Sequence, residues 1–200
     1  MTKPHAMRLP QPDFAGEVSV EQALLGRRSE RAFSRRAVYL AELSQLLWAA
    51  QGVTSPRGYR TAPSAGASYP LEIRAAAGLV AELPAGIYRY RSPDHTLTLS
   101  AAGDPREDLA QAALGQRCVA RASVVLVVSA VYARVCAAYG RRGVRYADME
   151  AGHAAQNVSL QAVALGLGTV VIGAFDDARV RGVAALSPDE EPLYLIPVGR

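Results

Sequence analysis

The chain has 200 residues, half of them hydrophobic and 20% charged, and a formal net charge of +4. These values exclude a disordered chain and fit one α/β or α+β unit large enough to bury a core. No run reaches the roughly 18 apolar residues of a spanning helix, and Met1-Thr2-Lys3-Pro4-His5 lacks the apolar stretch of a signal peptide, so a soluble cytoplasmic protein with no membrane partner is expected.

Residues 1–17 carry Pro4, Pro10, Pro12 and Gly16 and are expected to form an extended, loose arm before a single domain over 18–200. Ser19 is placed as an N-cap, with Gln22 completing a capping box, and the helix it opens delivers Arg27-Arg28-Ser29-Glu30-Arg31 at its C-terminal end. Three guanidinium groups and a hydroxyl within five residues suit a phosphate, because arginine presents a planar fork of donors. A second helix follows from Leu40, Leu43, Leu46, Leu47 and Ala50 up to Gly52. Residues 54–70 are too rich in Pro, Gly and Ser for regular structure, and the small residues Pro63, Ser64, Ala65, Gly66 and Ser68 let backbone approach a flat ligand closely.

Leu71–Ala77 is expected as a strand, Gly86–Tyr90 and Thr96–Leu99 as a hairpin with His95 exposed and idle in its turn, and 104–114 as a helix with Asp104 as N-cap and Pro105 in its first position. The β-branched run Ser123–Val131 fits a central strand buried on both faces. From Tyr146 to Leu167 a long helix carries Ala147, Ala151, Gly152, Ala154 and Ala155 in its first half, suited to close helix packing within the domain or across a dimer. A strand over Thr169–Phe175, a short helix from Asp176 to Ala185 and a last strand over Leu193–Val198 complete the order. Cys118 and Cys136 have no metal-ligand spacing, and no metal site is expected. The basic residues are dispersed outside two clusters, without aromatic interleaving, so a small phosphorylated ligand is favoured over nucleic acid.

There is no phosphate loop, Rossmann fingerprint or nucleophile elbow, and little conventional acid, base or nucleophile machinery, which fits a protein whose cofactor does the chemistry. Arg27-Arg28-Ser29-x-Arg31, Pro63-Ser64-Ala65-Gly66 and Gly166-Leu167-Gly168-Thr169 leading into Ile172-Gly173-Ala174 resemble, in order and spacing, the FMN-dependent nitroreductase superfamily. More narrowly, Ala62–Glu72, Gly86–Tyr90 and Tyr139-Gly140-x-Arg142-x-x-Arg145-Tyr146 with Glu150–Asn157 resemble its SagB/ThcOx-type dehydrogenase branch.

The resemblance implies an α+β, three-layer fold with a mixed central sheet flanked by helices, in an entwined homodimer with FMN at the subunit interface. It implies that Arg27, Arg28 and Ser29 hold the FMN phosphate and ribityl chain, with Arg200 a further candidate, and that Arg31 lies near N1/O2, where a cation stabilises negative charge. Pro63, Ser64, Ala65, Gly66 and Ser68 would line the flavin from one side, and backbone around Ile172, Gly173 and Ala174 would approach the ring. The expected activity is ping-pong hydride transfer from NAD(P)H through FMN N5 to a small organic acceptor, a nitroaromatic or quinone. The alternatives are oxidation of a peptide azoline or other small heterocycle, and a non-enzymatic flavin-binding protein. Tyr139 and Tyr69 are the candidate catalytic residues. Where the azoline dehydrogenases carry a Lys-Tyr pair this chain has Ala138-Tyr139, which retains only the tyrosine.

Overall fold

A computed structural model describes residues 6–200; His5 and the rest of the first five residues lie outside them. The segment expected as a loose arm supplies an edge strand, β1 (Ala6–Arg8), then buries Leu9, whose N–H donates to the His95 carbonyl at 3.1 Å. Next come α1 (Val20–Gly26) and α2 (Leu40–Gln51), a 3₁₀ turn at Ala65–Ala67, and β2 (Leu71–Ala77), β3 (Gly86–Arg91) and β4 (Thr96–Ala102). After them lie α3 (Arg106–Ala112), α4 (Arg117–Arg121), β5 (Val124–Ala130), α5 (Tyr132–Tyr139) and α6 (Arg142–Ala164). The chain closes with β6 (Gly168–Thr169), α7 (Asp177–Val183) and β7 (Glu191–Gly199).

The strands form one sheet in the order β1-β4-β3-β2-β5-β7-β6. Every ladder in it is antiparallel, not mixed as expected; the parallel contact among the described residues is the isolated bridge Val38–Val80. The β-branched run of β5 signals burial on both faces, and helices provide that burial here without parallel neighbours. Val124, Leu126, Val128 and Ala130 point into a core shared with α2 and α6, while Val125 and Val127 face α3, α4 and α7. Three layers result. Burying each such aliphatic side chain contributes about 1.5–3 kcal/mol, so β5 anchors both cores.

Local signals set the ends of the elements. The Ser19 hydroxyl accepts from the Gln22 N–H at 3.2 Å, and the Ser19 N–H donates to Gln22 Oε1 at 2.9 Å, a complete capping box on α1. Ser19→Ala is expected to cost about 1 kcal/mol in urea denaturation; an unchanged midpoint would show that packing alone holds this helix. Asp104 does not cap α3 in the expected way. Pro105 takes the cap position, and Asp104 binds the Arg106 N–H and guanidinium.

Thr169–Phe175 is not one strand. Only Gly168–Thr169 pairs as β6, and Ile172 then makes a two-way bridge to Leu195, with both hydrogen bonds at 2.9 Å. Val170 and Ile172 are buried in the second core, so burial accounts for the apolar run and ladder pairing does not. Among the described residues no helix is long and apolar enough to cross a membrane.

Candidate functional site

The arginine turn lies where α1 ends. Gly26 presses on α6 so closely that a Cβ there would lie 3.0 Å from Val163 Cγ1, and at Arg27 the backbone leaves the helix. Arg28 Nη1 donates to the carbonyls of Leu25 at 3.0 Å and Arg27 at 2.8 Å, so this side chain is used to satisfy unpaired carbonyls at the helix end. Arg27 is half-buried, Ser29 and Arg31 are exposed, and among the described residues no carboxylate pairs with Arg27, Arg28 or Arg31. The Glu30 N–H donates to the Thr169 carbonyl at 2.9 Å and fixes the turn on β6.

Arg200 behaves differently from the expectation that it would serve a phosphate. Its guanidinium pairs with Glu42, donates to the Ala37 carbonyl at 3.2 Å and lies 5.4 Å from the centre of the Tyr39 ring. Glu42 also accepts from the Tyr39 N–H at 2.8 Å, so the last residue of the sequence is tied to the start of α2. Its charge is already compensated.

The small-residue loop is strained and held by specific contacts. Gly66 has φ +57°, and a Cβ on it would lie 2.8 Å from Tyr139 Oη, so both its backbone and its neighbour call for glycine. Ala67 (φ 51°) and Tyr69 (φ 44°) are also left-handed, a conformation that costs a non-glycine residue about 1 kcal/mol or more and is found where surrounding contacts over-determine it. Those contacts are present. The Tyr69 N–H donates to Ser64 Oγ at 2.9 Å, Arg134 donates to the Tyr69 carbonyl at 3.2 Å, and the Arg60 guanidinium stacks 4.3 Å from the centre of the Tyr69 ring. Ser68 donates its N–H to the Ala65 carbonyl at 3.1 Å.

Against α6 the loop borders a groove of about 280 Å³ lined by Pro63, Ser64, Ala65, Tyr146, Met149 and Glu150. Tyr139, at the end of α5, makes an edge contact with Tyr146, their ring centres 5.2 Å apart. Glu150 is the residue that sequence reasoning missed. It is buried, Gln51 Nε2 donates to it at 3.3 Å, and burial raises its pKa against the opposing effects of Ser64, Gln51 and Arg60. Glu150 opens the Glu150–Asn157 stretch that carries part of the family resemblance, and it lies on the same helix face as Ala147, Ala151 and Ala154, but neither signal gave it a place in the site.

Ile172, Gly173 and Ala174 sit beside the sheet, Ile172 buried and the other two exposed; the Ala174 carbonyl is already occupied by Gln116 Nε2 at 3.1 Å. Within one chain the arginine turn and the loop are not brought together. Gly26 meets α6 at Val163 and Ser64 lines the groove at Glu150, thirteen residues away along the helix, or about 20 Å. His95 is not idle: its ring bonds Tyr90 Oη at 2.9 Å and Ser44 Oγ at 2.7 Å. Cys118 and Cys136 are free thiols, and among the described residues no cluster of His, Cys, Asp or Glu could hold a metal ion.

An antiparallel sheet between two helical layers is an α+β architecture and not one of the doubly wound nucleotide-binding folds. The family can be stated more closely. The chain belongs to the nitroreductase family, whose model matches residues 24–200. It is 44% identical over 194 residues to a candidate nitroreductase of Methanocaldococcus jannaschii, covering 97% of this chain and 96% of that one. A candidate nitroreductase structure from Ralstonia eutropha JMP134 matches with TM-score 0.85 and 33% identity over 98% of this chain and 89% of the other. The Escherichia coli microcin synthetase McbBCD complex, with truncated pro-MccB17 bound, contains a chain that shares the fold at TM-score 0.75 and 24% identity, covering 96% of this chain and 77% of that one.

Proposed function

We propose that this nitroreductase-family oxidoreductase is a cytoplasmic homodimer that binds FMN between its subunits and uses NAD(P)H to reduce a small organic acceptor, a nitroaromatic or a quinone. The observation that carries the reading is the donor set of the arginine turn. Among the described residues Arg27 and Arg31 have no carboxylate partner and flank the Ser29 hydroxyl, a combination that fits a phosphate monoester and would be left uncompensated without one.

FMN, when bound, supplies reversible two-electron hydride chemistry. In this reading Arg27 and Ser29 hold its phosphate, and Arg31 places a fixed positive charge beside the ring. The Pro63–Ser68 loop, stiffened by Ser64, Arg60 and Arg134, offers a flat wall that does not need to be ordered on binding. Glu150 keeps a carboxyl within the groove, and burial favours its protonated form. The 20 Å between turn and loop supports a composite site, with a second copy bringing its loop to the turn of the first. Val144 and Met149, exposed apolar residues on α6, supply surface for that contact.

Tyr139 favours a second reading, oxidation of a peptide azoline or similar heterocycle in the manner of the SagB/ThcOx-type branch, because it packs directly on the loop. Ala138 in place of a lysine counts against it. An absorption spectrum of the purified protein, followed anaerobically after adding NADPH or NADH, separates the two. Flavin bands that bleach within seconds support the reductase. Bound flavin that neither donor reduces would overturn it in favour of the dehydrogenase, and a colourless chain that FMN cannot reconstitute would sink both.

A further inference from the structure

A second, polar cavity of about 200 Å³ opens where β2 begins and β3 ends, and it shares no lining residue with the groove described above. Its wall carries four arginines, Arg60, Arg89, Arg91 and Arg134, and a single carboxylate, Glu72. Glu72 is shared. Arg89 Nη2 donates to one of its oxygens at 3.0 Å and Arg134 Nη2 pairs with the other, so that carboxylate leaves one positive charge in excess. Arg91 reaches Asp94 only at 3.5 Å, between two side chains that are about half exposed.

Arg60 has no carboxylate within ion-pair distance among the described residues. It donates to Gln51 Oε1 at 2.9 Å and stacks on Tyr69. Of the acids that act on Arg60, Glu150 binds Gln51, and its own burial opposes its charge. Burial also works against the charge of Arg60 itself, with Tyr69, Glu150 and Glu72 opposing that effect and Arg134 adding to it. Holding a half-buried guanidinium without a counter-ion is unfavourable unless an anion completes it.

From this we infer that the cavity is a subsite for an oxyanion, a carboxylate or phosphate group on the substrate, bound by Arg60 together with Arg89 and Arg134. The volume admits such a group with a few carbons and excludes a whole dinucleotide. Arg60 stacks on the Tyr69 ring and Arg134 holds the Tyr69 carbonyl, so an anion here is anchored to the same loop that the proposed function places against the flavin. The inference rests on that reading only for its meaning as substrate choice: the acceptor would be an acidic molecule, held by its charge.

The test is calorimetric titration of the protein as purified with benzoate and with inorganic phosphate, in the wild type, Arg60→Met, Arg89→Met and Arg27→Ala/Arg31→Ala. Saturable binding that weakens about tenfold or more in Arg60→Met and in the solvent-facing Arg89→Met, but persists in the arginine-turn variant, is expected. Preference for benzoate assigns a carboxylate, and preference for phosphate a phosphate ester. No binding of either anion, or binding lost only in the arginine-turn variant, overturns the inference. A kinetic arm reads the consequence: in Arg89→Met, whose side chain has no contact with the flavin-facing loop, KM for 4-nitrobenzoate rises about tenfold with kcat kept, while 4-nitrobenzyl alcohol is unaffected. A protein that binds benzoate through Arg60 yet carries no flavin would uphold the subsite and sink the proposed function.

Discussion

Replacing Arg27 and Arg31 together by alanine is expected to weaken FMN binding by about 10²- to 10⁴-fold, since each charge-assisted contact to a phosphate or ring oxygen carries roughly one to two decades. Neither side chain has a partner within the described chain, so the melting temperature of the flavin-free protein should stay where it is. Arg28→Ala is the internal comparison. Its guanidinium already caps the carbonyls of Leu25 and Arg27, so the loss should appear in the stability of α1 and much less in flavin affinity. Fluorescence titration of the flavin-free protein measures all three. Wild-type affinity in the double variant would remove the arginine turn from the cofactor site.

The second large effect concerns stability. Arg74 on β2 and Glu190 just before β7 form a buried pair: Arg74 Nη2 donates to Glu190 Oε1 at 2.7 Å, its Nη1 pairs with Oε2, and Ser129 Oγ donates to the same Oε2 at 2.7 Å. Glu190→Ala leaves a charged guanidinium sealed in the protein and is expected to cost about 3–5 kcal/mol in denaturant unfolding. The double replacement Arg74→Met/Glu190→Leu should recover most of that loss, the more so because Arg74 Nε already lacks a partner in the native state. A single variant as stable as the wild type would show that water or a moved side chain compensates Arg74.

The same pair makes stability depend on acid. Burial alone would raise the pKa of Glu190, but the hydrogen bonds of Arg74 and Ser129, the charge of Arg74 and the Ser187 N–H outweigh it and bring the value down to about 2. The folded pKa therefore lies below the unfolded one. The contribution is complete above the unfolded value near 4.5 and is lost as pH falls from there toward about 2. In Glu190→Ala that part of the acid dependence should vanish.

Features written in neighbouring residues were legible from sequence. Ser19 with Gln22, the apolar spacing of α2 and the unbroken run of β5 each needed only a local pattern, and each is present as expected. α5 was missed because its surface leaves no stripe to find: Ala133, Arg134, Ala137 and Ala138 are exposed and Val135 alone is buried. The start of α6 fell four residues before its expected place, since Arg142-Gly143-Val144-Arg145 puts a glycine inward and its one larger apolar side chain outward, leaving no apolar stripe to read. Arg74 and Glu190 are 116 residues apart and Arg60 meets Gln51 across a loop, so neither the buried pair nor the basic cavity has a signature along the chain. The arginine turn and the glycine loop were both found as motifs. Their separation along α6 depends on packing, which no spacing in the sequence encodes.

The two outermost strands of the sheet bear on how the protein behaves when crowded. β1 is three residues long and carries exposed Arg8, and β6 is two residues long, with the Thr169 carbonyl already taken by Glu30. Among the described residues a strand from another molecule would find little open backbone to pair with at either border, and a charge beside one of them. The β-branched segments that would be most prone to form fibrils, β5 above all, lie in the interior of the sheet between β2 and β7. Misassembly therefore requires the sheet to open first, and resistance to aggregation follows the stability of the whole fold, including the Arg74–Glu190 pair.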